Sequence, residues 1–333
     1  MKKCRIRSVS RLHITLIDLN ASWGVIDGGA GVILDKPFFE IEIYKDPSLN
    51  TDEIRLPDSN EEILEIVSRC LERIREYIVD TSNRYSYYTI NLKKIYPPHI
   101  GLGATTQLCM SIATGIWILE YDETPDHLLI ARIIRRGGTS GIGVHGFALG
   151  GFIVDGGHLK DVEKKDFLPS DYSVSPPPPI LVREEIPETW RFVLIRPRRI
   201  NKRFFGSREL EVFKNNTPLN INEVYEVSYH VLMGLLNSIK RRDIYRFRRH
   251  LRRIQDIGFK SIEWRIQADE VKRIAEYLDR SGVGYGLSSM GPTVFIPIEL
   301  DEEQRITRIL ESLGNEYLID VVEGRNRGYE AEC

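Results

Sequence analysis

Cysteine is scarce in this chain, and the few present lack a metal or redox spacing. Cys4, Cys70, Cys109 and Cys333 are scattered through 333 residues with no C-x-x-C pair, which supports neither a zinc knuckle nor a dense disulfide framework and points to a reducing cytosol. Long apolar runs are missing too. None approaches the ~18–20 residues needed to span a bilayer, and the first residues carry charges where a signal peptide needs an apolar stretch. The expectation is a cytoplasmic protein without a membrane partner. Charge of one sign is also absent: 46 Lys and Arg stand against 48 Asp and Glu, so neither a basic nucleic-acid coat nor a self-repelling acidic chain is indicated. Methionine is limited to four residues, which with the ion-rich stretch 61–75 suits a hot-environment protein.

What is present is enough chain for two domains and, at 42% hydrophobic residues, for a sizeable core. Strands are expected at Ile14–Ile17, Phe39–Tyr44 and Tyr87–Leu92, the second from its period-two alternation. The three- and four-residue steps of Ile63, Leu64, Val67, Cys70, Leu71, Ile74, Tyr77 and Ile78 predict an amphipathic helix over 61–79, and Leu108, Ile112, Ile116 and Leu119 mark another. Nine of the 26 glycines fall between Gly137 and Gly157, a stretch with little helix propensity that suits turns and close backbone approach. The proline run 176–179 reads as a linker, dividing the chain into 1–175, a linker over 176–187, and 188–333. In the last part, strands at 192–195, 293–296 and 317–322 with intervening helices give a β-α-β-β-α-β order, an α+β arrangement of helices on an antiparallel sheet.

Three small-residue loops could carry chemistry. Gly101-Leu102-Gly103-Ala104-Thr105-Thr106-Gln107 enters a helix, where the first N–H groups would face a phosphate or where Thr105 or Thr106 would simply cap the helix. Gly137 to Gly143 holds Gly138, Thr139, Ser140 and Gly141, and the following Gly151–His158 segment ends a short strand on Asp155. Hairpin turns would explain both. The third loop contains Ser288, Ser289 and Gly291. Near the N-terminus Arg11, His13, Asp18, Asn20 and Asp27 crowd a glycine-rich segment. Along an extended chain Arg11 and His13 share one face and Asp18 the other, unless a turn intervenes. His13 reads equally as a core residue or a catalyst. Two basic clusters remain: Arg191, Arg196, Arg198, Arg199, Lys202, Arg203 and Arg208 could grip a phosphorylated substrate, while residues 240–253 read as a solvated surface or intersubunit ion pairs. Without interleaved aromatics, nucleic acid ranks low as a partner.

Taken together, Arg11 to Asn20, Asp27-Gly28-Gly29, His99 to Gly103 with Thr106-Gln107, Arg136 to Val144, Gly151 to His158 and Ser288 to Val294 resemble the GHMP kinase superfamily. Within it, the chain is similar over nearly its whole length to the β-ribofuranosylaminobenzene 5′-phosphate synthases. The resemblance implies a two-domain GHMP-kinase-like fold, with an N-terminal half like ribosomal protein S5 domain 2 and a ferredoxin-like C-terminal half. Kinases of this superfamily carry an acid after the pattern S-G-x; here Ser140-Gly141-Ile142 is followed by Gly143, so the alternative of an ATP-dependent small-molecule kinase loses its usual base. Ala104 and Thr105 depart from the synthases' own Ser-Gly. The synthases join phosphoribosyl diphosphate to 4-aminobenzoate or 4-hydroxybenzoate, releasing CO2 and diphosphate, in methanopterin biosynthesis. That activity implies Mg2+, no organic cofactor and a homodimer. Asp18, Asp27 and Asp155 become candidates for cation stabilisation, with Asp155 also the metal candidate. Arg11 and His13 would meet substrate carboxylate or phosphate. Asn20, Arg136, the 101–107 and 138–141 loops, Ser288, Ser289 and Gly291 would surround the substrate.

Overall fold

The computed structural model describes residues 2–199 and 206–333. Its first half runs β1 (Lys2–Arg7), β2 (Ser10–Asp18), β3 (Val25–Leu34), β4 (Glu40–Lys45), β5 (Glu53–Arg55), α1 (Glu61–Ser82), β6 (Tyr88–Lys94), α2 (Ala104–Tyr121), α3 (His127–Ile133), α4 (Ile142–Leu149), β7 (Phe152–Asp155), β8 (His158–Leu159) and β9 (Ile180–Glu184). The second half runs β10 (Trp190–Pro197), α5 (Ser207–Asn216), α6 (Ile221–Tyr229), a π-helical stretch His230–Leu236, α7 (Asn237–Arg241), α8 (Ile244–Ile254), α9 (Gly258–Ile266), α10 (Asp269–Arg280), β11 (Gly286–Leu287), β12 (Val294–Glu299), α11 (Glu303–Glu311), β13 (Tyr317–Glu323) and β14 (Glu330–Glu332). No helix among the described residues is long and apolar enough to cross a membrane.

The predicted amphipathic helix is α1. The Asn60 side chain accepts the Ile63 N–H at its start, and Ile63, Ile66, Val67, Cys70, Leu71, Ile74 and Ile78 form its buried stripe. Helix α2 is buried on nearly every side, because it lies against both α1 and the sheet ordered β14-β1-β4-β6-β5. A second sheet, β2-β3-β7-β9, carries the N-terminal glycine segments. The third, β11-β12-β10-β13, is antiparallel with β10 between β12 and β13. That is the strand order a split βαβ unit produces, as the element order predicted.

Three findings depart from the sequence expectation. The glycine-rich stretch contains α4, although glycine disfavours helix. The reason is packing: a Cβ on Gly146 would lie 2.1 Å from Ile33 Cδ1, so only glycine lets this helix rest on β3. The proposed linker is not a free spacer, since β9 within it pairs with β7, and the C-terminal β14 returns to pair with β1. The cysteines are disulfide-bonded, Cys4 to Cys333 and Cys70 to Cys109, 329 and 39 residues apart. Spacing could not reveal these pairs because the β1–β14 ladder and the α1–α2 contact create them. Bridged intracellular proteins are known from hyperthermophiles.

Candidate functional site

A cleft between the two halves gathers most of the predicted residues. Its floor is the N-terminus of α2. Gly103 occupies the cap position at φ 77° and no side chain caps the helix, leaving first-turn N–H groups directed outward, the arrangement that favours an anion. Ala104 and Thr105 already belong to the helix, so the β-branched Thr105 meets no backbone demand that only glycine satisfies. Leu102 is a buried anchor whose carbonyl accepts the Arg11 N–H. Gln107 is buried and donates to the Gly143 carbonyl at 2.8 Å, tying α2 to α4.

The second loop reaches the same cleft. Thr139 and Ser140 line it, while Gly143 in the first turn of α4 lies so close to α2 that a Cβ there would meet Thr106 Cγ2 at 3.3 Å. Arg136 bonds Thr106 Oγ1 at 3.2 Å and Asp171 Oδ1 at 2.5 Å, bringing a guanidinium to the rim. From the other half, the third loop closes on the first. Ser288 Oγ donates to the Gly101 carbonyl at 2.6 Å and accepts the His13 N–H at 3.0 Å, and Ser289 donates its N–H to the His13 carbonyl. A Cβ on Gly101 would stand 2.5 Å from the Ser288 carbonyl oxygen, with the Gly291 carbonyl oxygen at 3.1 Å. Glycine at 101 is therefore what allows the two halves to meet.

Strand β2 supplies Arg11 and His13. A bulge between His13 and Thr15 shifts the register against β3, which is the intervening irregularity that strict alternation could not foresee; Leu16 joins Arg11 and His13 on the cleft as a result. Arg11 donates to the Gly101 carbonyl at 2.6 Å. Burial, with Arg136 nearby, pushes its guanidinium down to about 10, still a full cation at neutral pH. Burial beside Arg11 and Lys260 holds the His13 imidazole well below its ordinary range. His13 is thus neutral, and its buried Nδ1 finds no hydrogen-bond partner among the described residues, an opening that a bound ligand would fill.

The aspartates fare differently. Asp155 lies behind Ser140 rather than on the cleft. Its Oδ2 accepts the Ser140 hydroxyl at 3.0 Å and the Gly141 N–H at 2.9 Å, and its Oδ1 accepts the Gly157 N–H at 3.2 Å. Burial nonetheless raises its carboxyl to about 7. Both oxygens of Asp155 thus accept protein donors and its side chain does not line the cleft, and no group of three His, Cys, Asp or Glu among the described residues could hold a metal. Asp27, fully buried, pairs through Oδ2 with His158 Nδ1 and Lys164 Nζ, each at 2.8 Å. Lys164 also donates to the Gly138 carbonyl and contacts Thr139 Oγ1, so this cluster underpins the phosphate-like loop without touching the cleft. Asp18 binds the N–H groups of Asn20 and Ala21 in a turn, and Asn20 donates to the Leu219 carbonyl; neither lines the cleft.

Several cleft residues escaped sequence reasoning. Asp171 follows the glycine stretch, Glu209 sits in the first turn of α5 amid a basic run, and Phe213, Glu263 and Met290 come from the far half, with Lys260 behind Glu263. The available signal was Lys260 and Glu263, two charges among Phe259, Ile262 and Ile266. Burial, together with Asp171 and Glu263, lifts the Glu209 carboxyl to about 8. Of the first basic cluster, the described residues do not line the cleft: Arg191 and Arg196 pair with Glu323 and Asp320 on β13, while Lys202 and Arg203 lie outside the described residues. The second forms ion pairs within the chain, including Arg248–Glu302 and Arg253–Glu226.

No family model matches the chain. It is 36% identical over 331 residues to the β-ribofuranosylphenol 5′-phosphate synthase of Methanothermobacter thermautotrophicus, covering 97% of both chains. It is equally identical, over 331 residues, to the enzyme of that name from Archaeoglobus fulgidus, covering 98% of this chain and 99% of that one. Among solved structures, a mevalonate diphosphate decarboxylase from Enterococcus faecalis superposes with TM-score 0.67 at 14% identity over 99% of this chain and 98% of that one. A homoserine kinase from Cytophaga hutchinsonii gives 0.65 at 13% over 100% and 98%. The fold is therefore that of the GHMP kinases, as the loops predicted, and the chain belongs to the β-ribofuranosylphenol 5′-phosphate synthase family.

Proposed function

We propose that this protein joins phosphoribosyl diphosphate to 4-hydroxybenzoate or 4-aminobenzoate, with loss of CO2 and diphosphate, in methanopterin biosynthesis. The observation that carries this reading over the kinase alternative is Gly143. The expected kinase acid would have to project from a position where even a Cβ stands 3.3 Å from Thr106, so the cleft keeps its anion-binding helix end while lacking an acid at the place the kinases put theirs. What remains suits a departing diphosphate: helix N–H groups at Ala104 to Thr106, Arg11 and Arg136, all fixed before substrate arrives. As diphosphate leaves, positive charge grows on the ribose, and the carboxylate of Glu263 at the opposite wall, held by Lys260, offsets it.

Magnesium enters this reading as part of the substrate, the counter-ion of the diphosphate, in keeping with an ion that retains water and binds through substrate phosphates. No organic cofactor is invoked, and the working form is taken to be a cytoplasmic homodimer.

The test is to incubate the protein with Mg2+, phosphoribosyl diphosphate and each acid labelled at its carboxyl group. Labelled CO2 and diphosphate should appear in equal amounts. Absence of labelled CO2 with both acids, or a thermal shift with ATP and none with phosphoribosyl diphosphate, would remove the reading.

A further inference from the structure

Helix α9 places Lys260 and Glu263 one turn apart, and both side chains are buried in or behind the cleft wall. Lys260 donates to the carbonyls of Leu287 and Ser289, at 3.1 and 3.2 Å, and forms an ion pair with Glu263. Burial pushes Glu263 up and Lys260 down from their ordinary values. Two apolar residues would serve stability there at least as well as a buried ion pair, so its location on the cleft calls for a chemical reason. The surroundings supply one. Leu16, Phe213 and Met290, which line the cleft, belong to one apolar cluster with Phe259 and Ile262 of the α9 region. This wall is apolar with two carboxyl groups, that of Glu209, which burial lifts to about 8, and that of Glu263, whereas the wall at α2 and α4 is built of N–H donors and guanidinium groups. An aromatic ring with a single polar substituent matches the first wall, and phosphate matches the second.

We propose that Glu263 is a catalytic residue: the base that accepts the proton of the ring substituent para to the carboxylate, the hydroxyl or amine of the aromatic acid. This deepens the phosphoribosyl transfer reading and rests on it. As the O–H bond gives its proton to Glu263, the oxygen electron pair moves into the ring and the carbon bearing the carboxylate attacks the anomeric carbon. The bond from that carbon to diphosphate breaks, and diphosphate takes its electron pair. The ring-to-carboxylate bond then breaks, its electrons restore the aromatic ring, CO2 leaves, and Glu263 returns the proton to the phenolic oxygen. No oxidant, reductant or further reactant is needed. Lys260 is a positioning residue, holding the carboxylate toward the ring.

Two experiments test this. With wild-type enzyme already shown to release CO2 from 4-hydroxybenzoate, 4-methoxybenzoate should compete with that acid yet release at least roughly 100-fold less CO2, the range expected when general-base assistance is lost. Turnover of the methoxy compound at a comparable rate overturns the proposal. Glu263→Gln should lower kcat on 4-hydroxybenzoate by roughly 100-fold or more, with KM for phosphoribosyl diphosphate nearly unchanged. On 3,5-difluoro-4-hydroxybenzoate, whose more acidic phenol needs less help, the wild-type to variant ratio should shrink several-fold. A merely structural role would give the same ratio on both acids, and that result overturns the proposal. If the variant does not fold, the methoxy comparison decides alone. If wild-type enzyme releases no CO2 from any acid, the transferase reading fails before Glu263 is examined.

Discussion

Lys164→Met is expected to lower unfolding stability by about 3–5 kcal/mol in denaturant titration, the usual consequence of leaving one member of a buried ion pair uncompensated. Asp27 is fully buried, and its Oδ2 depends on Lys164 and His158. Methionine fills similar volume but donates nothing, so the carboxylate and the Gly138 carbonyl both lose the ammonium, and Leu168 and Thr139 lose a weaker contact. Adding Asp27→Asn to Lys164→Met removes the stranded charge, and the double variant should be more stable than Lys164→Met alone. Function should suffer beyond stability, because Thr139 and Ser140 are presented to the cleft by the loop that this ammonium holds. A small displacement of positioning groups can cost up to ~100-fold in rate, to be read as a fall in kcat/KM for phosphoribosyl diphosphate in the folded variant. A loss below about 1 kcal/mol would mean that water reaches Asp27 and solvates it, contrary to its burial.

Asp27 also shows where sequence reading stops. Its neighbourhood of glycines and charges marked it as a candidate, and the cluster was real, but His158 and Lys164 are 131 and 137 residues away. The contacts that hold Asp27 buried away from the cleft are long-range ones, for which local pattern has no signal. The same limit hid Glu209 and Glu263. What could be read were features set by local physics: the apolar stripe of α1, the alternation of β4, and the glycine turn before α2, where a tight turn and an uncapped helix end coincide. The C-terminal strand order was also accessible, since β-α-β-β-α-β admits few compact arrangements. Helix α4 was missed because its glycines answer to neighbours, Gly146 to Ile33 and Gly143 to Thr106, and propensity counts only their cost. The bulge after His13 likewise follows from pairing with β3, which decides that Leu16 rather than Ile17 faces the cleft.

Asp155→Asn separates positioning from direct chemistry, and its signature is in pH. The wild-type carboxyl is raised from 3.8 to about 7 chiefly by burial, so between those values the native state holds a proton that the unfolded chain has released. Stability on this account is fully present below about pH 4 and falls as pH rises through 7, by about 4 kcal/mol over the whole span at ~1.4 kcal/mol per pH unit. Asparagine does not titrate, so the variant lacks this slope. Its amide retains one acceptor oxygen, but its nitrogen then faces a donor, either Gly157 N–H or the Ser140 and Gly141 pair; a lost buried hydrogen bond costs about 1–3 kcal/mol. The variant should therefore be less stable than wild type near pH 4.5, and the difference should fall by about 3–4 kcal/mol toward pH 7, vanishing or changing sign by pH 8. Denaturant melts at matched pH measure this directly, and a gap that does not change with pH would place the titrating proton elsewhere. In activity assays at neutral pH, a carboxylate that only orients Ser140 and the first turn of α4 should cost roughly 10-fold in kcat/KM, well short of the ~100-fold or greater fall expected when a group stabilising the transition state is removed. A collapse of the larger size would return Asp155 to the reacting centre, with Ser140 moved aside to admit the ribose.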